Sequence, residues 1–62
     1  MNEARARAFD NMAAQCTAEE INDYIKATMD KLGGGPMPCS ERELWLEDLE
    51  RWVMHYRTAV MA

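Results

Sequence analysis

The sequence predicts an all-α fold, a helical hairpin with an additional N-terminal helix, three short helices in one small domain over residues 1–62. Three observations predict it. The run Gly33-Gly34-Gly35-Pro36-Met37-Pro38 stops one helix and delays the next. Apolar residues on both sides of that run recur at spacings of three and four, the period of a helix face. No segment alternates with the period of a strand. A chain of 62 residues typically buries only about 60% of its unfolded surface. The core is therefore expected to be completed by dimerisation or by docking on a partner.

The first helix is expected over residues 2–15, which are rich in Ala with Arg, Met and Gln. Phe9, Met12, Ala13 and Cys16 mark its apolar side. The stripe loses phase at Glu19 and Glu20, which favours a break near Cys16-Thr17 over one long helix. Thr17-Ala18-Glu19-Glu20 then forms a capping box, Thr at the cap and Glu at the third helical position. It opens a helix over residues 18–32. Ile21, Ile25, Thr28 and Leu32 are its inward row, widened by Tyr24 and Met29.

Gly33 stands where a left-handed residue ends a helix, just after Lys31 and Leu32. Residues 33–39 are expected as an exposed loop with Met37 at its tip. Ser40-Glu41-Arg42-Glu43 reads as a second capping box and starts the last helix, over residues 41–60. There Trp45, Leu49, Trp52, Tyr56 and Ala59 recur at spacings of 4, 3, 4 and 3, with Leu46, Val53 and Val60 every seven residues beside them. This face is wider than one neighbouring helix covers. The last helix also outruns its partner, about 30 Å against about 22 Å. Unless the first helix covers the rest, Trp45, Leu46, Leu49, Trp52, Val53 and Tyr56 are expected at a self-association surface, in a homodimer.

Charge and composition narrow the function. Eleven acidic residues against seven basic ones leave a net charge of −4. No basic stripe is present, which argues against nucleic acid as a partner. The acids interleave with apolar residues and do not imitate a phosphate backbone. No apolar run approaches the roughly 18 residues of a membrane span, so no membrane role is expected. Residues 1–7 do not read as a secretory signal. A cytoplasmic location and reduced Cys16 and Cys39 are the matching expectations.

No enzyme is expected. Cys39 and His55 lie about four turns apart on one helix, Glu47 and Asp48 diverge, and the glycine run lacks the Lys-Ser/Thr of a phosphate loop. Two Cys and one His do not make a zinc site. No metal, no cofactor and no catalytic residue is assigned. The segment Tyr24-Ile25-Lys26-Ala27-Thr28 to Leu32, before an acidic amphipathic helix, resembles the hairpin of the Sda antikinase family, but the glycine run and the tryptophans depart from it. Cys16-Thr17 with Ser40-Glu41-Arg42-Glu43-Leu44 resembles the Hha family of nucleoid modulators at a much longer spacing. Neither resemblance spans half the chain, and no site is carried over.

The expected function is a small protein-binding regulator or inhibitor acting through a helical surface on a larger protein partner, of the kind found in phages and mobile elements. The alternative is a structural or chaperone-type subunit of a secretion or virion complex. Tyr24, Glu47, Glu50, Arg51, Met54, His55, Arg57 and Met61 are the candidate partner-binding residues. They lie off the hairpin seam, and Tyr, Arg and Met are favoured in adaptable interfaces.

Overall fold

The computed structural model describes residues 2–61. It is all-helical, with α1 (Glu3–Ala13), α2 (Ala18–Gly33) and α3 (Cys39–Met61) in chain order. Among the described residues there is no strand, and no helix is long and apolar enough to cross a membrane.

α1 starts on Asn2, whose side-chain oxygen accepts from the Arg5 amide at 2.8 Å. It ends two residues earlier than expected. The Gln15 and Cys16 amides donate to the carbonyls of Met12 and Ala13, both at 3.1 Å, and these tight i−3 turns close the helix. The break falls where the stripe loses phase. The Thr17 capping box forms as read. The Thr17 hydroxyl accepts from the Glu20 amide at 3.2 Å, and the Glu20 carboxylate accepts from the Thr17 amide at 3.0 Å.

The loop corrects three expectations. Gly33 is the last residue of α2 and is not left-handed; the positive φ, 131°, belongs to Gly35. The Ser40 capping box does not form, because α3 already begins at Cys39. The Arg42 amide donates to the Pro38 carbonyl at 3.0 Å, so Pro38 holds the capping position. A proline there leaves no amide of its own without an acceptor, and it keeps the preceding Met37 out of helical conformation. Met37 is not a free loop tip. It is half-buried, beside Ala27 and Lys31 of α2.

α2 and α3 pack along each other as the hairpin. At 16 and 23 residues they are about 24 and 34 Å long. α1 covers part of the length that α2 leaves. Ala13, Ile21 and Trp52 form the buried core, one residue from each helix, with Phe9, Cys16, Ile25, Tyr56 and Ala59 packed round it. Trp52 is the centre. The Phe9 ring lies 4.6 Å from it at 58°, and Tyr24 stacks on it at 4.6 Å and 3°. Thr28 is also buried, and its hydroxyl donates to the Tyr24 carbonyl at 2.8 Å, which removes the cost of an unpaired polar group.

Candidate functional site

The face predicted for self-association divides in two. Trp52 is only 5% exposed and turns into the chain's own core, under Phe9 and Tyr24. Trp45, Leu49 and Tyr56 are half-buried beside it. Leu46 and Val53 stay open, at 43% and 37% exposure. Helix one and Tyr24 of α2 together cover Trp52, and the uncovered remainder is a narrower aliphatic strip.

The polar chemistry gathers between α1 and α3. Arg51 and His55 are four residues apart on α3 and share a face. Both reach Asp10 of α1, the residue after the core-packing Phe9. Arg51 Nη1 donates to both Asp10 oxygens at 3.1 Å. His55 Nε2 lies 2.8 Å from Asp10 Oδ1. An ionised carboxylate can only accept, so the imidazole presents its Nε2 proton here. The His55 hydrogen bond holds the Asp10 carboxyl below its ordinary 3.8; partial loss of water opposes this, and the Arg51 charge and hydrogen bonds add to it. Arg5 of α1 extends the ionic seam toward Asp48 of α3, at 3.5 Å.

Asp10, Arg51 and His55 line a groove of about 420 Å³ with Met54, Arg57 and Thr58. The groove thus brings together four of the predicted partner-binding residues, Arg51, Met54, His55 and Arg57. It does not include the others. Tyr24 stacks on Trp52 from α2. Glu47 is half-buried, while Glu50 and Met61 are exposed farther round or along α3. Asp10 is not among the site residues that the sequence predicts.

Chemically the cluster is a fastener. Asp10 engages both Arg51 and His55, and the Thr58 hydroxyl is turned to the Met54 carbonyl at 3.2 Å. Cys16 is held at its own helix end, its thiol 3.5 Å from the Met12 carbonyl. Among the described residues, no three His, Cys, Asp or Glu side chains are grouped to hold a metal ion. No family model, curated protein or solved structure matches the chain.

Proposed function

We propose that this chain is a non-enzymatic, protein-binding regulator or inhibitor, cytoplasmic, that docks the α3 surface on a larger protein partner and also self-associates. One observation carries the reading. Met12, Tyr24, Met29, Leu44, Leu46, Val53, Met54, Val60 and Met61 are all more than a third exposed, against a buried apolar core of Ala13, Ile21 and Trp52. Single exposed apolar residues are ordinary, but a surface this rich in them on so small a core supports a binding role. On the groove side, Met54 gives an adaptable apolar contact and Arg57 a charged one. A net charge of −4 suits a basic partner and makes the encounter rate salt-sensitive.

The test places a photo-crosslinking residue at Met54 and, as a control, at Lys26 on α2. A discrete adduct with a larger protein from position 54, absent from position 26, is the expected result. Identical adducts from both positions, or none from either, would refute docking through α3. A chain that stays molten until it is co-expressed with a partner would instead favour the assembly-subunit reading.

A further inference from the structure

The apolar strip that α1 and α2 leave open has a period and a flank that identify its occupant. Successive residues of a helix turn by about 100°. Measured round α3 from Trp52, Trp45 and Tyr56 lie within about 40° and face α2, while Asp48, Arg51 and His55 lie on the other side, toward α1. Val60, Val53 and Leu46 fall at about 80–120°, where no helix covers them, with the half-buried Leu49 at about 60° on their edge. Leu46, Val53 and Val60 are seven residues apart with Leu49 and Tyr56 between them, which is the seam pattern of a helix pair. α2 adds the half-exposed Met29 on the same side, opposite its Tyr24. The hairpin therefore has one closed side, under α1, and one open apolar side.

The flanks of this seam differ. One carries Trp52 and Ala59, which pack in or against the chain's own core, and the half-buried Trp45. The other carries Glu43, Glu50 and Arg57, all exposed. In a parallel pair each charged flank would meet a Trp/Ala flank, with no charge to answer it. In an antiparallel pair like flanks meet with their order reversed. Glu50 of one copy then lies beside Arg57 of the other, and the same contact repeats through the twofold axis near Val53.

We infer that the open side of the hairpin binds a second copy of this chain, with the two α3 helices antiparallel and Glu50 of each paired with Arg57 of the other. The inference rests on the self-association proposed above and supplies its geometry. It gives Glu50 and Arg57 a further role, in recognition of self. The interface is isologous, the same patch on both copies. Since α2 runs along α3 in each hairpin, pairing the two α3 helices brings four helices together in one arrangement. The seam from Leu46 to Val60 is about 21 Å long, and a micromolar association is the expectation for it.

The full chain is to be studied by sedimentation equilibrium, with circular dichroism as the control for folding. Neither Glu50 nor Arg57 has a charged residue four positions away on α3, where Leu46, Met54, Val53 and Met61 stand. Their reversal therefore has little to disturb within the helix. Glu50→Arg alone and Arg57→Glu alone should each weaken the dimer about tenfold, since both symmetric pairs turn repulsive. The double variant Glu50→Arg/Arg57→Glu should return to within about threefold of the wild type. Val53→Glu, at the twofold axis, should give a folded monomer. A double variant no tighter than the single ones would overturn the antiparallel pairing while leaving self-association standing. A wild-type chain that stays monomeric at about millimolar concentration, well above the expected micromolar constant, would overturn both.

Discussion

Asp10 accepts from Arg51 and His55 together, and its carboxyl is held below the ordinary value. A depressed carboxylate contributes stability above its unfolded value and loses it as pH falls through the folded one. Thermal melts followed by circular dichroism should therefore show Asp10→Asn melting below the wild type at neutral pH. The gap should close as the pH drops below the usual 3.8. A gap that persists at about pH 2, below both values, would mean that Asp10 acts by packing and not by charge. Trp52 is the other decisive residue. Trp52→Ala leaves a cavity between Phe9, Ile21 and Tyr24 and should cost about 3–5 kcal/mol by urea denaturation. For so small a chain that approaches its whole stability. The two residues differ in legibility. The heptad spacing of α3 marks Trp52 as central. Asp10 could not be paired from sequence, because its partners lie 41 and 45 residues away and meet it only through the angle at which α1 crosses α3.

At the scale of elements, the three glycines make separate predictions. Gly35 has φ 131°, so Gly35→Ala should destabilise by about 1–2 kcal/mol. Gly33 is helical with open space where a Cβ would stand, so Gly33→Ala should stabilise, by up to about 1 kcal/mol. In Gly34→Ala the new Cβ would meet the Asp30 carbonyl oxygen at 2.9 Å, and the loop must shift. Melting temperatures of the three variants check the order. The glycine run announced a helix end. Which glycine takes the positive φ depends on how the chain turns back to Pro38, and no local rule decides it. The two capping boxes make the same point. Thr17 follows a break and caps. Ser40 has the same pattern, but Pro38 two residues upstream starts the helix first.

At the scale of the molecule, the fold class and the three-helix order follow from the glycine run and the two periods, because these are local. The division of the α3 face into a core side and an open side was not legible. It depends on α1 folding back to place Phe9 against Trp52, a contact that spacing within α3 cannot reveal. If the open side closes on a second copy, mass action ties stability to concentration. Raising the protein from about tenfold below to about tenfold above the dimer constant should raise the melting temperature of the wild type. It should leave that of Val53→Glu unchanged. Differential scanning calorimetry at the two concentrations measures this directly.

Phe9, Tyr24 and Trp52 come one from each helix and meet at a single point. The indole of Trp52 is held nearly coplanar with the Tyr24 ring, 4.6 Å away, in a fixed chiral setting. The chain thus carries a built-in optical gauge. Its near-ultraviolet dichroism and the emission of Trp52 depend on all three helices being home at once. A binding event that lifts α1 alone would expose one face of the indole and change its signal while the far-ultraviolet helix signal hardly moves. Trp45, half-buried and without a ring partner among the described residues, supplies the second and independent emission against which that change can be read.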